Sequence, residues 1–120
     1  MQKCILIYDD DAEILMLCTL LLQKQNYKVE TRAICDNVVA DIKSVKPDII
    51  LMDLWIPTTG GEEAIRQIRE DASLKDIPVL LFSANDDIEK ISKSSAANGY
   101  VQKPFDIHSF LKTIKKWIKT

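Results

Sequence analysis

Asp48-Ile49-Ile50-Leu51-Met52-Asp53-Leu54-Trp55-Ile56-Pro57 is a short apolar run ending in one carboxylate, with Gly60 and Gly61 in the loop behind it. Such a run, bounded by turn residues, reads as a fully buried strand of a parallel sheet. In open α/β sheets the functional edge lies just beyond the carboxyl ends of such strands. Asp53 is therefore delivered to the edge where chemistry is expected.

The flanking sequence supplies the rest of that sheet. Upstream, Cys4-Ile5-Leu6-Ile7-Tyr8 is a strand-like run that breaks into Asp9-Asp10-Asp11. A helix is expected from Ala12 to Gln25, N-capped by Asp10 or Asp11. Its core stripe is Ile14, Leu17, Cys18, Leu21 and Leu22, with Leu15 at the border and Met16 and Leu20 outside it. Tyr27 to Thr31 reads as a short, charged strand near a sheet edge, and Asp36 to Lys46 as a helix stopped by Pro47. Downstream of the central Asp48 to Met52 strand, Glu62 to Asp71 is helical, with Glu62 and Glu63 complementing the dipole of its first turn. Ile77 to Phe82 is a fourth strand ending in Ser83-Ala84-Asn85, and Asp86 or Asp87 caps a helix with a thin apolar face of Ile88, Ile91 and Ala96. Gly99 to Gln102 is a fifth strand closed by Lys103-Pro104-Phe105. The last helix, Asp106 to Lys119, turns Ile107, Phe110, Leu111, Ile114, Trp117 and Ile118 inward and Lys112, Lys115, Lys116 and Lys119 outward.

Strands and helices thus alternate through residues 1–120 with no linker or repeat. The expected fold is a single doubly wound (βα)5 α/β domain, a parallel sheet with helices on both faces. Right-handed crossovers place all the strand ends on one edge. Composition agrees: 47% hydrophobic and 28% charged residues suit a soluble globular domain, expected to be cytoplasmic from its cysteine usage, and a net charge of -2 gives no reason to expect direct contact with nucleic acid or membrane. No apolar run approaches the roughly 20 residues that span a bilayer. Cys4, Cys18 and Cys35 are odd in number and lie in apolar-periodic segments, as reduced core thiols do.

At the common edge the strand ends deliver Asp9 and Asp10, Asp53, Ser83 and Lys103. Carboxylates crowded together repel one another unless a cation intervenes, and a hard divalent ion such as Mg²⁺ takes oxygen ligands beside a phosphate. Lys103 adds a compact positive charge and Ser83 a hydroxyl, which is equipment for a phosphoryl group. No glycine-rich nucleotide loop is present, so the plausible acceptor is a carboxylate, and Asp53 is the lone acid at the end of the central strand.

These motifs resemble the receiver domain of the response regulators of two-component signalling, chemotaxis regulators among them, over essentially the whole chain. Four stretches carry the likeness: Ile5 to Asp10, Asp48 to Pro57 with Gly61, Ser83-Ala84, and Gly99 to Phe105. The resemblance implies a flavodoxin-like strand order 2-1-3-4-5. It also implies that Asp53 takes phosphate from a phosphohistidine on a sensor histidine kinase or phosphotransfer protein. Asp10 and Asp53 would be direct ligands of Mg²⁺ (with Mn²⁺ as a substitute), Asp9 would act largely through water, and the Trp55 carbonyl would be the third protein ligand. Ser83 and Tyr100 match the family's switch residues and Lys103 its lysine. The implied protein is a signalling phosphoacceptor that assists its own phosphotransfer and autodephosphorylation, and not an enzyme. Its target would bind the face of the fourth helix, fifth strand and fifth helix. It would be a monomer or a weak phosphorylation-linked dimer, and one receiver domain with no output domain in this chain.

Trp55 and Asn85 stand where the family flanks the attacking water, and a bulky Trp55 is expected to shield the phosphoryl group. Gly60 replaces the acid that often precedes the loop glycine, with no chemical consequence expected. Met16 and Leu20, on the first helix beside the acids, would suit docking against a kinase's helical bundle. His108 is the only histidine and makes no metal site by itself. An aspartyl-phosphate phosphatase would want a second acid where Trp55 stands, and a flavin module would want hydroxyls where Asp9, Asp10 and Asp11 stand.

Overall fold

The computed structural model describes residues 2–118 as strictly alternating strands and helices. The strands are β1 (Cys4–Tyr8), β2 (Lys28–Arg32), β3 (Ile49–Asp53), β4 (Val79–Ser83) and β5 (Gly99–Gln102). The helices are α1 (Ala12–Lys24), α2 (Val38–Val45), α3 (Gly61–Glu70), α4 (Ile88–Ser94) and α5 (Ile107–Trp117). All neighbours pair in parallel in the order β2-β1-β3-β4-β5, which is the order expected.

Side chains alternate across each strand, so every interior strand feeds two cores. Leu6, Tyr8, Ile50, Met52 and Leu81 pack under α2, α3 and α4, meeting Val38, Ile42, Ala64, Ile65, Ile68 and Ile88. Ile5, Ile7, Leu51, Leu80 and Phe82 face the other way, against Cys18 and Leu22 of α1 and Phe110 and Ile114 of α5. Phe82, Phe105 and Phe110 form an aromatic cluster with centroids 4.6 to 6.2 Å apart. β1, β3 and β4 are buried throughout, which is why their sequences are near-continuous apolar runs. The thiols Cys4, Cys18 and Cys35 are buried and unpaired by disulfides, as their placement in apolar segments implied.

Several local expectations are corrected. Leu17 is exposed, because α1 is apolar nearly all round and its buried contacts centre on Cys18 and Leu22. Ile107 is also exposed, sitting in the first turn of α5. Ala96 lies beyond the end of α4 at φ 66°, exposed in a left-handed turn. α2 starts at Val38 with Asn37 as cap, since the Asn37 side chain accepts the Ala40 N–H. β2 and β4 each run one residue later than expected at their carboxyl ends, and β3 includes Asp53 itself. Lys119 of the expected outer face of α5 lies outside the described residues. No helix among the described residues is long and apolar enough to cross a membrane.

Candidate functional site

Asp9 follows β1 directly. Its N–H still bonds the Arg32 carbonyl at 3.1 Å, so the sheet ladder holds its backbone while its side chain is fully buried. One carboxylate oxygen accepts the Asp11 N–H at 2.9 Å and the other accepts from Lys103 Nζ at 2.5 Å. Asp11 caps α1, accepting from the Glu13 and Ile14 amides, and Asp10 is left exposed between them. One acid of the triplet is thereby structural.

Asp53, the last residue of β3, is buried. Lys103 Nζ stands 3.7 Å from its Oδ1. Oxygens of Asp9, Asp10 and Asp53 all lie within 4.8 Å of one another. Burial pushes the Asp53 carboxyl above its ordinary range, the Asp9 charge adds to that, and Lys103 opposes it. A hard divalent cation fits this donor set: it takes oxygen ligands, it would relieve the mutual repulsion, and exposed Asp10 leaves the cluster open to solvent.

Lys103 is positioned from two sides. Its N–H bonds the Ser83 carbonyl at 2.9 Å, and its ammonium lies 4.7 Å from the centre of the Phe82 ring. Phe82 is the register partner of Asp53, so the aromatic platform and the central acid are neighbours on adjacent strands. Ser83 is buried at the end of β4, and its Oγ accepts the Asn85 N–H at 3.1 Å. Tyr100 stands apart from the acids. It is 37% exposed, and its hydroxyl donates to Glu89 of α4 at 3.4 Å. The Trp55 side chain, 71% exposed, projects from the loop after β3.

Three contributions went unread in the sequence. Phe82 under Lys103 looked like ordinary core. Gly61 has no room for a Cβ, which would lie 2.5 Å from the Asp53 carbonyl oxygen and 2.9 Å from Leu54 Cα. The glycine in the motif was the available signal, and close backbone approach is its reason. Finally, the loops after β2 and β3 are stitched by a bridge between Cys35 and Thr58, in which the Cys35 N–H bonds the Pro57 carbonyl and the Thr59 N–H bonds the Cys35 carbonyl. Thr58 holds φ 82° there, a costly conformation for a β-branched residue.

An open parallel sheet that gathers acids, a lysine and a hydroxyl beyond its strand ends defines a doubly wound α/β domain equipped for an anionic group. Residues 5–115 match the response regulator receiver domain, and the chain belongs to that family. The protein PilH of Pseudomonas aeruginosa is 35% identical over 112 residues, covering 92% of this chain and 93% of that protein. The chemotaxis response regulator CheY4 of Vibrio cholerae superposes with a TM-score of 0.88 at 26% identity, over 97% of this chain and 98% of that one. The receiver domain of a Pseudomonas aeruginosa sensor histidine kinase, solved with magnesium coordinated in its active site cleft, shares the fold with a TM-score of 0.89 at 24% identity over 100% of both chains. Other relatives are longer: the chain spans 48% of a DNA-binding regulator from Synechocystis and 18% of a sensor kinase/phosphatase from Vibrio cholerae. Receiver domains are phosphoacceptors in two-component signalling and interact with histidine kinases and downstream effectors.

Proposed function

We propose that Asp53 is the phosphoacceptor of this receiver domain and that Asp9, Asp10, Lys103 and Ser83 form its machinery. The observation that carries this reading is the reach of one ammonium to two carboxylates: Lys103 Nζ touches Asp9 and lies 3.7 Å from Asp53, beside the three-acid cluster. An Asp53 carboxylate oxygen attacks the phosphorus of a phosphohistidine in line. The new O–P bond forms as the N–P bond breaks, and the electron pair returns to the imidazole nitrogen, which takes a proton from water. Lys103 meets the negative charge on the transferring oxygens. Mg²⁺, or Mn²⁺ in its place, would be held by Asp10, Asp53 and the Trp55 carbonyl, with Asp9 acting largely through water. When bound it supplies positive charge between the carboxylates and the phosphoryl oxygens.

The domain assists the arrival and the loss of its own phosphoryl group. On this reading Trp55 shields the phosphoryl group on Asp53 from water and Asn85 flanks the same water; Trp55→Asn is expected to speed dephosphorylation, and an unchanged rate removes the shielding role. Ser83 Oγ leaves the Asn85 amide when it turns toward the phosphoryl group, which loosens the loop leading into α4. Asp87, the N-cap of α4, makes no side-chain cap bond, and the helix has seven residues, so its start is weakly held. Tyr100 then leaves Glu89, and the α4-β5-α5 face shifts between two populated arrangements. A downstream protein reads that face. The domain acts in the cytoplasm, as a monomer or a weak phosphorylation-linked dimer, without touching nucleic acid or membrane itself.

The phosphodonor is a sensor histidine kinase or a histidine phosphotransfer protein, docking on Met16 and Leu20 of α1, which are 66% and 55% exposed. The test is transfer from a radiolabelled phosphohistidine protein, with Mg²⁺ or with a chelator. Label should reach the wild type only with Mg²⁺ and never reach Asp53→Asn. Label on Asp53→Asn, or transfer that ignores the chelator, overturns the reading.

A further inference from the structure

The lysines of α5 have no salt-bridge partner among the described residues, and only His108 has an acid nearby, Asp106 at the helix start. Within Ile107–Trp117 the charged or titratable side chains are His108, Lys112, Lys115 and Lys116, and no acid is present. Among the described residues, no carboxylate lies within 4.0 Å of any of the four. The acid at the helix start, Asp106, accepts the Ser109 N–H as N-cap. Lys112 meets like charges at i+3 and i+4 in Lys115 and Lys116, an arrangement that weakens a helix. α3 of the same molecule does the reverse, with Arg66 bonded to Glu63 and Glu70 at i−3 and i+4. Lys115 and Lys116 suit the negative end of the helix dipole, but Lys112, a turn earlier, gains little from it.

Three of these groups line one cleft. His108, Lys112 and Lys115 share a face of α5 with half-buried Leu111, and across from them stand Gln25 and half-buried Tyr27 beyond the end of α1. The cleft measures about 470 Å³, with an apolar floor under a basic rim. It is separate from the side of α5 that faces β5, where Ser109 and Thr113 stand beside Tyr100 and Gln102.

We propose that this cleft between α1 and α5 docks an acidic amphipathic helix of a partner protein. Charge complementarity names the occupant. His108, Lys112 and Lys115 rise through about 10 Å of helix axis, which matches carboxylates spaced i, i+4 and i+7 on a second helix lying alongside. An apolar side chain of that helix fills the space over Leu111 and Tyr27. The cleft is distinct from the switching face, so a partner held here remains bound in either state of Asp53.

The experiment uses the full chain and a fluorescein-labelled helical peptide with Glu at i, i+4 and i+7 and Leu at i+3, followed by anisotropy. Wild type is expected to bind, more weakly as salt rises, and Lys112→Glu/Lys115→Glu to weaken binding about tenfold or more. Lys90→Glu/Lys93→Glu, on exposed positions of α4, should leave it unchanged, and a Leu→Ser peptide should bind less well. Far-UV circular dichroism verifies that each variant is folded. The proposal is overturned by no binding to wild type, by equal losses in the two double variants, or by a Leu→Ser peptide that binds equally well. Tighter binding of a single-stranded oligonucleotide, lost in the same Lys112/Lys115 variant, would assign the cleft to nucleic acid and overturn it too.

Discussion

Lys103 Nζ lies 2.5 Å from Asp9 Oδ2 and 3.7 Å from Asp53 Oδ1, so its ammonium is committed to Asp9 and only leans toward the acceptor. Asp9 is fully buried and Asp53 nearly so. Removing the lysine therefore leaves two buried carboxylates without their cation. Lys103→Met is expected to lower the stability of the metal-free protein by about 3 kcal/mol, because breaking a buried pair costs more than the pair contributes. Guanidinium unfolding measures this, and millimolar Mg²⁺ should recover part of the loss by placing a cation between the same carboxylates. Equal stability of variant and wild type would show that Lys103 does not hold the pocket.

Asp53 gives the opposite sign. Burial and the Asp9 charge raise its carboxyl above the ordinary value of 3.8. Its contribution to stability is fully present below that value and is lost as pH rises through the folded one, so at neutral pH the ionised group costs stability. Asp53→Asn keeps the shape and removes the charge. It should stabilise the metal-free protein at neutral pH, with the gain vanishing toward pH 4. Thermal unfolding across that range is the check, and a destabilised variant would contradict it.

The buried thiols make a third prediction. Burial pushes Cys35 up to about 11 and Cys18 to about 12, from an ordinary 9.0, and raises Cys4 as well. None should react with a disulfide exchange reagent in the native protein near pH 8, and all three should react in guanidinium. Raised values also mean that stability falls as pH climbs past 9 toward 12. Fast labelling of the native protein would show that this core opens.

Met16 and Leu20 supply a fourth. Alanine at both should slow transfer from a phosphohistidine protein by about tenfold, since exposed apolar anchors dominate small interfaces, while phosphorylation by acetyl phosphate stays as in wild type. Equal loss with both donors would place the effect in the pocket rather than in docking.

Sequence reading went furthest where one physical signal dominated. β1, β3 and β4 are apolar on both faces, so their runs end visibly at Asp9, Asp53 and Ser83, and those ends are the site. It failed where signals were degenerate. In α1, Ile14, Leu15, Met16, Leu17, Leu20, Leu21 and Leu22 cover most of the circumference, so no periodicity separates exposed Leu17 from its buried neighbours. Other features depend on chain crossings that local pattern does not encode. Tyr8 donates to Asp41 at 2.7 Å across the sheet edge. Arg69 of α3 binds the Lys75, Ile77 and Ala96 carbonyls and the Asn98 side chain, tying two loops together. Each looked like an ordinary core or surface residue in the sequence.

The central claim is that Asp53 carries the phosphoryl group. Intact-mass measurement after incubation with acetyl phosphate and Mg²⁺ tests it most directly. The account predicts a gain of one phosphoryl group in the wild type, none with a chelator present and none in Asp53→Asn. A phosphorylated Asp53→Asn, or a wild type that stays unmodified with Mg²⁺ and donor in excess, would contradict it.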